Sequence, residues 1–271
     1  MPDAPMTTPG EVGGRPKLVL RYPTEPERLA ALLPPGLEPV GEPVVQIGVY
    51  CVPVHGEPEH GISTRLPARF DGVDGQYTLG VGIDQESAIF VSRETNGQPK
   101  FPCSVAYYRL GDEVVARCSH QGRTFLEYTG TVAGDGTAPG AGLPRAGDEL
   151  VEDEWWIKAS RAVGGVEGEY DLPPRVVRVH SEGVVTHVDA VDGDLLLHDS
   201  PWDPYTELLP MTGAAVAALV TTRHTARSIT VAGPLDAAAF WPFADTIGGS
   251  RWPGERGAPP ARRRAATVGA T

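Results

Sequence analysis

The chain is a succession of short apolar, β-branched runs closed by glycine or proline, and few other patterns compete with them. The runs are KLVLRY, VVQIGVYCVPV, QYTLGVGI, SAIFVSRE, SVAYYRL, EVVARCS and FLEYTGTV, then RVVRVH, GVVTHVDAV, DLLLHD and ARSITVAG. Such residues suit a pleated, half-buried surface, and glycine and proline end it. Their spacing predicts a mainly β fold of bent antiparallel sheets in a sandwich or barrel-like arrangement. Two helices are expected. One is EPERLAALL, capped by the Thr24 hydroxyl; the other is MTGAAVAALVTTRHTA at 211–226, alanine rich and apolar along one side. No repeat is visible, and GDGTAPGAGLPRAGDE at 134–149 reads as a long loop.

At 271 residues the chain can enclose a ligand cavity within one core. A single domain is expected over 14–248, between disordered tails at 1–13 and 249–271, the second carrying Arg262, Arg263 and Arg264. The formal charge of −12, without a basic stripe, argues against a nucleic-acid partner. No apolar run approaches bilayer length, and MPDAPMTTPGEVGG has neither a basic nor an apolar leader region. Cys51, Cys103 and Cys118 are scattered and form no C-x-x-C pair, so they read as small buried apolar residues. These features together predict a reduced, cytoplasmic protein with no membrane partner.

Phosphate-loop, dinucleotide, nucleophile-elbow and H-E-x-x-H motifs are all absent. HGEPEHG, holding His55, Glu57, Glu59 and His60, reads as a solvated loop rather than a metal site, because its spacing suits no ligand geometry. No metal is expected. His120, His180, His187, His198 and His224 are dispersed singly, and each reads as a packed or surface residue.

The segment SRETNGQPKF is more informative. Asn96-Gly97 predicts a type I′ hairpin, which would set Glu94 opposite Pro99 and Arg93 opposite Lys100. Lys100 would then share a face with a permanent cation, beside Phe101 and the apolar SVAYY strand. Both surroundings disfavour an ammonium. The demand is considerable: an ordinary lysine is only about 0.04% free amine at pH 7, and a drop of ~3 pH units in its pKa makes that roughly a quarter.

SRETNGQPK resembles the G-R-E-x-x-x-x-P-K-K segment of acetoacetate decarboxylases, whose first paired lysine forms a Schiff base with a keto substrate. That such a lysine is activated by desolvation or by a second cation is known of the family, and is not deduced from this chain. RYPTEPERLAALLPPGLEP, FDGVDGQYTLGVGIDQESAIFVSRE, WWIKASR and LLLHDSPWDPYTELLP resemble further family segments in the same order, from about residue 15 to about 225. The resemblance implies a Schiff-base lyase that needs no cofactor beyond a covalent imine on Lys100. It further implies a small keto acid as substrate and a homo-oligomer.

Carried over by residue, Lys100 takes the Schiff-base position and Arg15 that of an active-site arginine, while Arg93 and Glu94 match an R-E pair. Phe101 stands in place of the second lysine, and the position of the family's catalytic glutamate falls on Gly61. Glu59 or His60 would have to shift to replace it. Glu94 and Glu59 are therefore the candidate proton carriers, and Arg93, Gln98, Phe101 and His60 the candidate substrate contacts. The leading expectation is decarboxylation of a 3-oxo acid. Alternatives are aldol, dehydration or cyclisation chemistry on a 2-oxo acid in specialised metabolism, and a non-catalytic ligand-binding relative. Tyr107, Trp156 and Trp202 are pocket-wall candidates by type, though core packing suits each of them.

Overall fold

The computed structural model describes residues 16–54, 56–133 and 139–244. Both expected tails, Arg15, His55 and residues 134–138 lie outside the described residues. Strand β1 (Lys17–Pro23) leads through helix α1 (Pro26–Ala30) and strand β2 (Glu38–Pro39) into β3 (Val44–Val54), β4 (Glu57–Phe70) and β5 (Val73–Ile83). Helix α2 (Glu86–Asn96) and strand β6 (Lys100–Pro102) come next. They are followed by the meander β7 (Ser104–Leu110), β8 (Glu113–His120) and β9 (Arg123–Val132). Strands β10 (Glu149–Arg161) and β11 (Tyr170–Leu197), helix α3 (Tyr205–Leu208), strand β12 (Val216–Pro234) and helix α4 (Ala237–Phe240) complete the order.

Hydrogen bonding runs β10-β5-β4-β3-β1-β12-β11-β9-β8-β7, and β10 also pairs with β11, so the path from β10 round to β11 closes on itself. The expected mainly β architecture is present. Strand alternation then sorts the side chains. Leu18, Leu20 and Tyr22 of β1 meet Val45, Ile47 and Val49 of β3 in a core that also holds Phe125, Tyr128 and Trp155. Burying each such aliphatic side chain contributes roughly 1.5–3 kcal/mol.

The opposite face of β3, β4 and β5 is more polar. Arg65 pairs with Glu154 at 2.6 Å, Thr78 donates to Glu154 at 2.9 Å, and the Trp156 indole donates to Thr78 at 3.2 Å. These bonds tie β4, β5 and β10 together. Helix α2 covers another part of this face, where Ile89 packs on Val81 and Ile83 with Tyr50 and Ala88 beside them.

Five expectations are corrected. SAIFVSRE forms most of α2 and not a strand, and Asn96-Gly97 ends that helix instead of turning a hairpin. Gly97 sits at φ 69 and donates to the Arg93 carbonyl at 2.9 Å, a left-handed helix cap. Hairpin and cap ask for the same positive φ, and the buried Ile89 and acidic first turn upstream favour the helix. A Cβ on Gly97 would also lie 2.6 Å from the Ile157 carbonyl oxygen of β10.

MTGAAVAALVTTRHTA contains no helix; from Val216 it is β12, hydrogen bonded to both β1 and β11. Ala217 and Leu219 enter the main core while Ala218 and Val220 enter a second cluster. A strand buried on both faces has no polar alternation to reveal it. Thr24 caps no helix: α1 starts behind Glu25, and the Thr24 hydroxyl donates to the Pro210 carbonyl at 2.8 Å. Of HGEPEHG, only Gly56 among the described residues is a turn, since Glu57 to Gly61 already pair with β3.

Candidate active site

Strand β6 lies parallel to β5, with Lys100 beside Val81, and so carries the Lys100 side chain onto the face covered by α2. Lys100 is 8% exposed. Its Nζ donates to Oε2 of Glu59 at 3.2 Å, and Glu59 is itself only 3% exposed. The Tyr50 hydroxyl donates to the other carboxylate oxygen at 3.4 Å. Burial, followed by the adjacent carboxylate, pushes the Tyr50 phenol above its ordinary range, so it serves as a neutral donor.

Gly61 explains how the carboxylate comes to stand at residue 59. Both residues face the same side of β4, two positions apart. A Cβ built on Gly61 would fall 2.3 Å from the Tyr50 ring. The glycine thus leaves the space into which Tyr50 lies, and Tyr50 in turn holds Glu59.

A cavity of about 810 Å³ opens here, and its wall includes Lys100, Arg93, Asp84, Phe90, Ser104 and His120. Arg93 does not stand across a hairpin from Lys100 as its register predicted. It projects from α2, and its guanidinium donates to the Lys100 carbonyl at 3.0 Å. The charge nearest the Lys100 amine is therefore an anion and not the expected cation. His60 bonds Asp84 through Nδ1 at 3.1 Å. Glu94 is exposed on α2, Gln98 is half-buried, and neither joins the cavity wall. Phe101 is buried with its ring 4.9 Å from that of His120. Tyr107 and Trp156 are buried in packing, whereas Trp202 stands 6.2 Å from His120. All three cysteines are buried thiols outside any disulfide.

An acetoacetate decarboxylase family model matches residues 1–234. The chain belongs to the acetoacetate decarboxylase family. Acetoacetate decarboxylase 1 of Bradyrhizobium diazoefficiens is 34% identical over 106 residues, which are 35% of this chain and 41% of that protein. Acetoacetate decarboxylase of Paraburkholderia phytofirmans is 35% identical over 85 residues, 31% of this chain and 33% of that one. The aligned stretches thus span less than half of either relative. Among solved structures, an acetoacetate decarboxylase superposes with a TM-score of 0.68 at 17% identity, over 84% of this chain and 91% of its own. The enduracididine biosynthesis enzyme MppR, complexed with the condensation product of pyruvate and imidazole 4-carboxaldehyde, gives 0.55 at 18% identity over 83% and 88%. These likenesses are of fold. Among the described residues no helix is long and apolar enough to cross a membrane.

Sequence reasoning did not single out Tyr50, which bonds Glu59, or the His120–Asp203 pair at the cavity wall. The one available signal for Tyr50 was Gly61, a gap where a functional side chain was due. His120 and Asp203 carried none, being far apart in the chain.

A second amine, Lys17, crosses over Gly48 on the same polar side of the sheet. Burial, then the Arg65 guanidinium, lowers its pKa from 10.5 to about 8. Between those two values the unfolded chain holds a proton that the fold has released, so the stability tied to Lys17 rises with pH. Lys17→Met should therefore stabilise the fold at pH 7, with the advantage shrinking by pH 9.5. Urea midpoints at both values check this, and an equal difference at each refutes it.

Proposed function

We propose that this chain is a Schiff-base enzyme acting on a small keto acid, with Lys100 as the amine and decarboxylation of a 3-oxo acid as its reaction. The observation that carries the reading is the buried Lys100–Glu59 contact at the cavity wall. A solvated surface lysine would have neither the enclosure nor the carboxylate.

Glu59 accepts a proton from the Lys100 ammonium across the 3.2 Å contact, leaving a neutral amine beside a neutral acid. The amine adds to the ketone, and the carbinolamine loses water with a proton returned from Glu59. The resulting iminium draws in the electron pair of the breaking carbon–carboxylate bond as carbon dioxide departs. An enamine remains; it takes a proton on carbon, and water then hydrolyses the iminium to ketone and free lysine. Arg93, a cation on the cavity wall, is placed to attract the substrate carboxylate. Glu94 loses its candidacy as proton carrier to Glu59 on exposure alone.

A second reading keeps the imine and changes the chemistry that follows. It is favoured by the cavity volume, which far exceeds what a compact 3-oxo acid fills, and by the structural likeness to MppR. In that reading a 2-oxo acid condenses with a second carbonyl compound and no carbon dioxide is lost.

One experiment separates the two. Acetoacetate and pyruvate are each incubated with the protein, carbon dioxide is measured, and borohydride is added before mass spectrometry. Release from acetoacetate with trapping on Lys100 is the expected result. Trapping of pyruvate alone, with no release from acetoacetate, selects the second reading. No trapping of either acid overturns both.

A further inference from the structure

His120 closes β8, is 8% exposed, and lines the same cavity as Lys100. Its Nδ1 lies 2.9 Å from Oδ2 of Asp203, a carboxylate with no exposure at all. Asp203 sits in the segment between β11 and α3, where the backbone N–H groups of both Trp202 and Asp203 donate to the Ser200 hydroxyl at 3.3 Å. The imidazole ring packs 4.9 Å from the Phe101 ring and 6.2 Å from that of Trp202, tilted at 55° to each. Its position, plane and one nitrogen are all determined by neighbours.

Packing alone does not account for this arrangement. Removing a carboxylate wholly from water costs several kcal/mol before any partner compensates, and an apolar pair of the same volume would fill the space without that cost. A buried aspartate on the Nδ1 side fixes the tautomer and stabilises the imidazolium, which is what a histidine exchanging protons through Nε2 requires. The cavity supplies somewhere to exchange them.

We propose that His120, held by Asp203, moves the proton on the substrate carbon next to the Lys100 imine. This rests on the reading of Lys100 as the imine-forming residue. Neutral His120 takes a proton from the α-carbon of the iminium through Nε2. The C–H electron pair becomes the carbon–carbon double bond, and the C=N π pair moves onto Nζ as a lone pair, giving enamine and imidazolium. In the decarboxylation no proton leaves carbon beforehand, so the ring enters as the imidazolium, protonated by water from the cavity, and delivers that proton to the enamine carbon after carbon dioxide loss. Glu59 then serves the nitrogen side of the reaction and His120 the carbon side. Asp203 is a positioning residue that acts through the ring.

The test separates imine formation from carbon protonation. Exchange of the pyruvate methyl protons with deuterium oxide is followed by NMR in the full chain, in His120→Gln and in Asp203→Asn, with borohydride trapping of pyruvate measured in parallel. Trapping should persist in both variants. Exchange should fall about 100-fold or more in His120→Gln, the usual scale of a lost general acid–base group, and at least ~10-fold in Asp203→Asn. Exchange within threefold of the parent in His120→Gln, with trapping intact, overturns the proposal and leaves the imine reading standing. Loss of both trapping and exchange in His120→Gln assigns the ring to shaping the cavity and also overturns it. Asp203→Asn with unchanged exchange removes the positioning role. If the parent chain traps neither pyruvate nor acetoacetate, the imine reading falls and this proposal with it; if it traps acetoacetate alone, the same exchange is read on the methyl protons of acetone, the product of its decarboxylation.

Discussion

Lys100→Met should abolish borohydride trapping of any keto acid and lower turnover by roughly 10⁴-fold or more. Removing a covalent nucleophile eliminates the pathway instead of slowing one step of it. The mass increase seen in the parent after reduction should disappear, and no other lysine should acquire it. Lys17 is the most demanding control, since its depressed pKa makes it a competent amine at mildly alkaline pH. Peptide mapping of the reduced adduct decides between them. An adduct on Lys17, or one that survives Lys100→Met, would sink the assignment. Methionine is the preferred replacement because it fills the volume of the lysine stem in a site that is 8% exposed.

Glu59→Leu should be the more damaging change to the fold. It strands the Lys100 ammonium in a nearly dry site, and breaking one side of a buried ion pair costs about 3–5 kcal/mol. The double variant Glu59→Leu with Lys100→Met should recover most of that loss, because both desolvated charges are then gone. That recovery requires a coupling at or above the upper end of the roughly 0.5–3 kcal/mol range for groups in contact, and urea unfolding of the four proteins in the cycle measures it. Additive losses would mean that the 3.2 Å contact contributes no coupling and that Glu59 is held by Tyr50 alone.

How much of the site was legible in the sequence varies with how local each signal is. Lys100 was readable because Pro99, Phe101 and the preceding Arg-Glu pair sit beside it in the chain. The identity of its partner was readable only as a choice between Glu59 and His60, since alignment placed the position on Gly61. Strand alternation resolves that choice: residues 59 and 61 share a face, whereas His60 turns to the other side and bonds Asp84. Asn96-Gly97 misled because a glycine at positive φ serves a hairpin and a helix cap equally well. The segment 216–226 misled because alanine is a good helix former and no polar residue marked a face, yet pairing with β1 and β11 overrode that propensity.

The sequence by itself determined the mainly β character, the family, and the lysine to suspect, because alternation, turn residues and a short motif are properties of neighbours along the chain. Tertiary structure alone decided that α2 shields Lys100, that Tyr50 occupies the space left by Gly61 to steady Glu59, and that Asp203 reaches His120 across 83 positions. Such contacts are set by sheet register and by how elements pack against one another, and no local pattern of residues encodes them.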